Sequence, residues 1–542
     1  MQVKEFGCLV CIALSLTGSI LAGSTLAGST QAQNTNWDVL GQRWWTHIQF
    51  LADDSLEGRD TGSSGFEKAA DYVAAQFRAA GLEPAGSDGY RQPMDFNVVR
   101  IDEARCSLDL ILGGRVQHMK LGENAVLSVN SNAVENLNAS AVFVGHGLTI
   151  PELKYDDLAD VDVKGKIVVF VSGGPPEIAG PIKAHYQSSE ERRKALLKAG
   201  VAGTIVIPNP KSTEVPWSRI AAARFQPRME LRDPGRDIPP PLPLGVTFNP
   251  ASAEMLFAGS GHSFEEVLSA LNAGKPLPHF PLAVKIHARV GMTRAEAKSE
   301  NVVGVLPGSD AKLKKEYVVI SAHLDHLGIG EPVNGDRIYN GAMDDASGDA
   351  SLIEIARSLK ESGARPKRSI LFLSVTGEEK GELGSQYFVA HPTVTGKIVA
   401  DLNMDMYLPL FPLKYLEVQG LDESTLGEDI RAVTEQAGVQ VQADKEPEHN
   451  RFIRSDQYSF IKKGAPALAF KFGYIQGSPE EKIFKAWYAE RYHAPSDDAS
   501  QPVDLAAAAQ FNAVLEKLAL RVADAEHRPE WKPDSFFRRF IQ

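Results

Sequence analysis

The chain has 542 residues, of which 43% are hydrophobic, and it carries a formal net charge of −12. This length is enough to bury more than one hydrophobic core, so at least two domains are expected. The net negative charge argues against nucleic acid or an anionic membrane surface as a partner, because both repel an acidic protein.

The N-terminal segment predicts export. Lys4 is followed by an apolar stretch over residues 8–21 and then by small residues up to Ala32. This pattern is typical of a secretory signal peptide over residues 1–32, with cleavage near Ala32 or, alternatively, near Ala22. We therefore expect a secreted or periplasmic protein. No stable membrane anchor is expected, since the lipoprotein-like residues 21–24 lack a cysteine.

An amphipathic helix is predicted shortly after this segment. Apolar residues recur at helical spacing from Phe66 to Phe77, and Gly81 marks the end of the pattern. The composition changes over residues 115–285, where short strand-like runs alternate with proline-rich connections. A strand-like pattern returns at residues 301–308. The chain is therefore predicted to carry an insert over residues 115–285.

Three short apolar runs follow, at residues 317–322, 370–375 and 398–404. The first two are rich in β-branched and large apolar residues, as expected for strands buried on both faces of a parallel sheet. Helical stripes over residues 352–359 and 511–522 would cover such a sheet. We predict an α/β fold with a mixed, mainly parallel sheet flanked by helices, into which a small β-rich α/β domain is inserted.

Polar residues stand where the predicted strands end. His323, Glu378–Glu379 and Asp405 lie at or just after the ends of the three runs. In open α/β sheets the ligand crevice lies beyond the carboxyl ends of the strands, so these residues should meet at one edge. Two zinc ions need about three imidazole or carboxylate ligands each, with one carboxylate shared. Five residues meet that count: His323, Asp344, Glu379, Asp405 and His493.

Each of these residues has another explanation when it is taken alone. A single histidine such as His323 is usually structural or exposed, and Asp344 or Asp345 could cap a helix. Adjacent carboxylates such as Glu378 and Glu379, however, repel each other unless a cation lies between them. The whole set therefore predicts a metal centre.

Five segments carry a resemblance to a known family. They are residues 321–328, 341–348, 376–379, 403–406 and 492–497. In this order they resemble the signature of metallopeptidase family 28, which contains the bacterial leucyl-type zinc aminopeptidases and their glutamate carboxypeptidase relatives. The resemblance implies a zinc exopeptidase fold and two Zn²⁺ ions per chain.

The resemblance also implies a role for each ligand. His323 and Asp405 would hold one zinc ion, Glu379 and His493 would hold the other, and Asp344 would bridge the two ions.

Three further residues receive roles from the same resemblance. Glu378 would be the general base that takes a proton from water. Tyr492 would donate to the developing oxyanion. Asp325 would accept the spare ring N–H of His323, a contact that metal-bound histidines usually need.

The insert resembles a protease-associated domain in residues 144–148, 163–169 and 199–207. If this module has a role, it is expected to wall the catalytic cleft or to hold the rest of a peptide. The expected organisation is a signal peptide over residues 1–32, a discontinuous catalytic domain over residues 33–114 and 286–530, the insert over residues 115–285, and a C-terminal tail over residues 531–542.

We expect a zinc-dependent aminopeptidase that acts on peptides or small dipeptides. A carboxypeptidase or dipeptidase of the glutamate carboxypeptidase type is the alternative within the fold, and no residue in the sequence separates the two. A non-catalytic, receptor-like binding protein is the alternative from another class. The presence of all five ligands and of Glu378 argues against that alternative.

Overall fold

The computed structural model describes residues 35–213, 215–233 and 239–541. The predicted signal peptide, with both of its proposed cleavage sites, lies outside the described residues. No helix in the described ranges is long and apolar enough to cross a membrane. From Trp37 onward, the described residues belong to one compact unit.

The α-helices of the described residues are, in chain order, Trp37–Leu51 (α1), Ser64–Ala79 (α2), Gly180–Gln187 (α3), Ser189–Lys198 (α4), Trp217–Ala222 (α5), Glu254–Phe257 (α6), Phe264–Asn272 (α7), Ser347–Glu361 (α8), Leu383–Ala390 (α9), Leu426–Ala437 (α10), Gln457–Ile461 (α11), Pro479–Glu490 (α12) and Leu505–Asp524 (α13).

The strands are Glu83–Pro84 (β1), Arg91–Ile101 (β2), Ser107–Leu112 (β3), Arg115–His118 (β4), Ala125–Ser128 (β5), Asn136–Val144 (β6), Thr149–Ile150 (β7), Tyr155–Asp156 (β8), Ile167–Val171 (β9), Gly203–Ile207 (β10), Arg228–Leu231 (β11), Gly245–Phe248 (β12), His279–Arg289 (β13), Met292–Leu306 (β14), Glu316–His323 (β15), Gly328–Val333 (β16), Asp336–Tyr339 (β17), Ser369–Val375 (β18), Lys397–Asn403 (β19), Tyr415–Gln419 (β20), Gln440–Gln442 (β21) and Ala467–Gly473 (β22).

The larger sheet has the order β11-β2-β14-β18-β15-β19-β22-β20-β21, with β1 paired to β14. Its four central strands, β18, β15, β19 and β22, are parallel. The three predicted strands are β15, β18 and β19, so the predicted mixed α/β sheet is confirmed. Parallel pairing is largely confined to the centre, because β2, β11 and β14 on one side and β20 on the other run antiparallel to their inner neighbours.

Helices cover both faces of this sheet. Successive residues of β15 point to opposite faces, so Val318 and Ile320 pack in the core that contains α1, α2, α8 and α13. Val319 packs on the other face against Phe388 of α9 and Phe460 of α11. The helices predicted at residues 66–77, 352–359 and 511–522 are confirmed as α2, α8 and α13.

A second sheet has the order β4-β3-β13-β6-β9-β10-β12-β5. Its strands come from Ser107 to Arg289, and its apolar core is separate from that of the larger sheet. Within this span, β11 leaves the second sheet and pairs with β2 of the larger one. The likeness of this module to a protease-associated domain stays a prediction.

The C-terminal residues pack against α11 of the catalytic part and α3 of the insert. Trp531 and Phe537 are buried with Tyr458 of α11 and Ala184 of α3. The indole Nε1 of Trp531 donates to the Gly464 carbonyl oxygen over 3.0 Å. The tail therefore joins a helix of the insert to the catalytic part of the chain.

Phe537→Ala is expected to lower the free energy of unfolding by about 3–5 kcal/mol, the usual cost of removing a buried aromatic side chain. Urea unfolding followed by circular dichroism measures this change. Ile541→Ala is the matched control, because Ile541 is 55% exposed and should change the same quantity by less than ~0.5 kcal/mol. Equal stability of the parent and Phe537→Ala would show that the tail does not hold the insert.

Candidate metal centre and active site

The predicted ligands lie together at the carboxyl edge of the central parallel strands. His323 is the last residue of β15, and Glu378–Glu379 and Asp405 follow the ends of β18 and β19. Since β15 pairs in parallel with both β18 and β19, these residues leave the sheet at the same edge. Asp344 precedes α8, and His493 lies in the turn after α12.

Asp344 stands between the two histidines. Its Oδ1 is 3.1 Å from Nε2 of His323, and its Oδ2 is 3.2 Å from Nε2 of His493. His323 Nε2 is also 3.8 Å from Asp405 Oδ1, and His493 Nε2 is 3.3 Å from Glu379 Oε2. The five predicted ligands therefore form two groups that share one carboxylate.

His326 was not predicted to belong to the site. Its Nδ1 lies 2.8 Å from Oε1 of Glu379 and 3.9 Å from Oδ2 of Asp344, and its ring is fully buried. Its main-chain N–H donates to the Arg59 carbonyl oxygen, which fixes its position. The available signal was its place directly after Asp325, in the same short segment as His323.

Several buried polar atoms at this edge have no hydrogen-bond partner among the described residues. They include His323 Nε2, Asp344 Oδ2, Glu379 Oε1 and Asp405 Oδ1. Leaving such atoms unsatisfied is costly, which indicates that a cation completes their coordination. Imidazole nitrogen and carboxylate oxygen form the donor set that zinc prefers, so the residues fit this metal.

The pKa of His493 shows how strongly this site favours positive charge. Burial alone would lower the pKa, but the carboxylates of Glu379 and Asp344 raise it to about 10. Burial, followed by the nearby carboxylates of Asp405 and Glu379, raises the pKa of Glu378 well above its ordinary value. The uncompensated negative charge therefore lies where the two groups of ligands meet.

Asp325 holds the Glu378–Glu379 segment and not the ring of His323. Its carboxylate accepts hydrogen bonds from the main-chain N–H groups of Glu378 and Glu379, at 3.1 and 3.3 Å, and from the Thr61 hydroxyl. The Nδ1 atom of His323 instead lies 3.0 Å from the main-chain carbonyl oxygen of Asp325. The predicted contact between the Asp325 carboxylate and the ring of His323 is therefore corrected, because the Asp325 side chain is turned toward the residues that follow β18.

Two other buried carboxylates anchor the main chain of the ligands. Asp345 accepts from the N–H groups of His323 and Met406, so it ties the ends of β15 and β19 together. It also accepts from the N–H of Gly348 in the first turn of α8. Asp497 accepts from the N–H groups of Met343 and Asp344. None of these contacts was predicted individually.

Lys471 supports the loop that carries Asp405. Its Nζ donates to the carbonyl oxygens of Asp405 and Met406, at 2.7 and 2.9 Å. Met406 has a positive φ of 49°, which is unfavourable for a residue with a side chain. A buried lysine that binds both carbonyl groups stabilises this conformation.

A cavity of about 580 Å³ opens above the ligands. Glu378 and Tyr492 both line it, beside the ligand side chains, and the ring of Tyr492 lies 3.9 Å from that of His493 between centroids. The insert contributes Ser189 and Arg228 to the same wall. The structure thus brings all the predicted site residues to one place, and the roles of Glu378 and Tyr492 stay predictions.

The family model described as Peptidase family M28 matches residues 301–519. This segment belongs to peptidase family M28. The family that was predicted from the five sequence segments is therefore confirmed, and every predicted metal ligand lies within the matched span.

Two curated relatives match this chain over short segments. Carboxypeptidase Q of Xenopus laevis is 32% identical over 133 residues, which are 24% of this chain and 26% of that protein. Aminopeptidase NAALADL1 of Mus musculus is 31% identical over 152 residues, which are 27% of this chain and 18% of that protein. The chain thus spans about a quarter or less of the length of these relatives.

A solved structure shares the fold over nearly its whole length. The aminopeptidase from Aneurinibacillus sp. strain AM-1 aligns with a TM-score of 0.54 at 19% identity, covering 92% of this chain and 97% of that chain. The two-sheet architecture is therefore common to both proteins.

Asp325→Ala should weaken zinc binding about 10- to 100-fold, the usual effect of losing a residue that orients metal ligands. The contact of His323 is to the main chain and survives the substitution, so the loss would come from the released Glu378–Glu379 segment. Competition with a chromophoric chelator measures the affinity, and Asp160→Ala, at an exposed position, is the control. An unchanged affinity in Asp325→Ala would contradict the orienting role.

Proposed function

We propose that this chain is a zinc-dependent exopeptidase that holds two Zn²⁺ ions and releases N-terminal residues from peptides. The observation that carries the proposal is the position of Asp344, whose two carboxylate oxygens face two different histidines. His323 and Asp405 would hold one ion, Glu379 and His493 the other, and Asp344 would contribute one oxygen to each.

The remaining residues of the cavity fit the hydrolysis of an amide bond. The chemistry that bound zinc supplies is polarisation of the scissile carbonyl and a lower pKa for water, toward about 7. Glu378 would accept a proton from the attacking water and pass it to the leaving amine, a contribution of roughly 10²–10⁴-fold. Tyr492 would donate a hydrogen bond to the oxygen on which negative charge develops.

The proposed preference for N-terminal residues rests on a carboxylate outside the ligand set. Glu382 lines the cavity and has no proposed part in metal binding or proton transfer. It therefore offers a partner to the free ammonium group of a peptide. The similarity to Aminopeptidase NAALADL1 supports the same choice.

A second candidate function is that of a carboxypeptidase or dipeptidase of the glutamate carboxypeptidase type. The similarity to Carboxypeptidase Q favours it. So does Arg228, which lines the same cavity and could bind a C-terminal carboxylate.

Blocking one end of the substrate separates the two candidates. An aminopeptidase should hydrolyse Leu-Leu-amide and leave N-acetyl-Leu-Leu intact, because it needs the free amine. The release of leucine or leucinamide can be measured by chromatography. Cleavage of the acetylated peptide alone would establish a carboxypeptidase, and cleavage of unblocked Leu-Leu alone would establish a dipeptidase. Cleavage of none of the three peptides by the zinc-loaded protein would remove both candidates.

The adjacent glutamates are expected to differ in their effects. Glu378→Gln should keep two zinc ions per chain and lower kcat by at least ~10²-fold, because it removes the proton acceptor without removing a ligand. Glu379→Gln should bind less zinc. Elemental analysis after gel filtration gives the metal content, and circular dichroism verifies the fold. The reverse pair of results would exchange the two assignments.

We also propose that the protein is exported, on the basis of Lys4 and the apolar residues 8–21. Intact-mass measurement of the protein recovered from the periplasm or medium would locate the cleavage site. Recovery from the cytoplasm at full length would contradict export.

A further inference from the structure

A second cavity of about 320 Å³ lies beside the metal cavity, between the insert and the catalytic part of the chain. The two cavities share the side chains of Arg228, Arg454, Tyr492 and His493 as lining. Its volume is at the lower end of the range for ligand pockets, about 300–1,000 Å³. A molecule bound at the metal centre could therefore extend past Tyr492 into this second cavity.

Apolar side chains from both parts of the chain form much of its lining. The insert contributes Leu127 and Val129 near β5 and Ile220 of α5, and the catalytic part contributes Leu327 and Tyr339. Of these, Leu127, Val129, Leu327 and Tyr339 are buried. Such a surface favours a large apolar side chain, because the apolar surface that is removed from water contributes to the free energy of binding.

The charged lining of the second cavity is predominantly basic. Glu331 is its only carboxylate among the described residues, whereas four arginines line it: Arg219, Arg224, Arg228 and Arg454. The metal cavity carries charges of both signs, because Lys380, Arg451 and Lys471 line it together with the carboxylates of the ligands, Glu378 and Glu382. The second cavity has the larger excess of cationic over acidic side chains, so the carboxyl end of a substrate fits it.

Three of these arginines are occupied by contacts within the protein, among them Arg454, which donates to the His449 carbonyl oxygen over 3.1 Å. Arg219 donates to the carbonyl oxygens of Tyr488 and Ala489, which clamps α5 to the end of α12. Arg224 pairs with Glu103. Within the described part of the chain, Arg228 makes no side-chain hydrogen bond or ion pair, although its guanidinium group lines both cavities.

The main chain fixes the direction of Arg228. It lies opposite Val99 in the antiparallel pairing of β11 with β2. The next residue, Met229, is buried on the other face of the strand, so Arg228 is exposed toward the cavities. An unpaired arginine on a rigid strand is suited to bind a carboxylate.

We infer that the second cavity binds the residue released on the carboxyl side of the cleaved bond, with its apolar side chain among the insert residues and its carboxylate on Arg228. This inference rests on the proposed exopeptidase function. It predicts that the preferred substrates are dipeptides whose second residue is large and apolar.

The carboxylate contact is tested by comparing Leu-Leu with Leu-Leu-amide. In Arg228→Met, the ratio of kcat/KM for Leu-Leu to that for the amide should fall about 10- to 100-fold, as expected for the loss of a charge-assisted hydrogen bond. Arg228→Lys should keep part of the preference. The control is Arg232→Met, because Arg232 pairs with Glu296 and lines neither cavity. An unchanged ratio in Arg228→Met would overturn the inference.

The apolar contact is tested with the second residue of the dipeptide. The parent should prefer Leu-Leu over Leu-Gly by about 10- to 100-fold in kcat/KM, from burial of the leucine side chain. Ala222→Phe should reduce this preference, because Ala222 lines the second cavity. Equal kcat/KM values for the two dipeptides in the parent would overturn the assignment of the cavity.

The failure of the proposed function would be recognised separately. If only N-acetylated peptides were cleaved, the aminopeptidase proposal would fail. The ratio of kcat/KM for N-acetyl-Leu-Leu to kcat/KM for its amide would then test Arg228 in the same way. Cleavage of neither series by zinc-loaded protein would overturn both.

Discussion

The concentration of negative charge at one edge of the central sheet is the constraint on which the site depends. Two carboxylates about 4 Å apart repel each other by roughly 4 kcal/mol at the effective dielectric constant of a protein. The carboxylates at this edge include Asp325, Asp344, Asp345 and Asp497, which are buried, and Glu379 and Asp405, whose side chains are 4% and 15% exposed. Arg59 is fully buried nearby and donates to the carbonyl oxygens of Leu324, Asn340 and Gly341. One guanidinium group and the neighbouring lysines are too few to balance this charge. Metal ions are therefore expected to contribute to the stability of this edge as well as to its chemistry.

The carboxylates divide into two groups according to what they face. Asp344, Glu379 and Asp405 direct oxygens toward histidine nitrogens, whereas Asp325 and Asp497 accept hydrogen bonds from the main chain of the ligand segments. The second group fixes the positions from which the first group must coordinate. Such support is needed because a site displaced by about 1 Å can lose much of its activity.

The sequence predicted the three strands and the meeting of His323, Glu378–Glu379 and Asp405 at one edge, because both depend on local patterns and on one rule of topology; the ligand roles stay predictions. β15, β18 and β19 are apolar runs, and parallel strands deliver their terminal residues to a common edge. The roles of Asp325 and His326 could not be predicted in the same way. Both follow from the direction in which a side chain turns after the strand ends, which depends on contacts with Thr61 and Glu379. The second cavity could not be predicted from the sequence either, since Arg228 and Tyr492, which both line it, are far apart in the chain.

The insert is held against the catalytic part by strand pairing and not by flexible connections. The chain enters the insert from β2 and leaves it into β14. These two strands pair antiparallel along their length, with Arg91 opposite Val302 at one end and Ile101 opposite Met292 at the other. Between those points the chain returns once to the larger sheet, as β11 on the free side of β2. The position of Arg228 is therefore set by the same sheet that carries His323. A pocket built on such rigid elements is formed before the substrate arrives, so little conformational entropy is lost on binding. In the proposed function, this arrangement would let the insert select the residue that is accepted beside the predicted metal ligands.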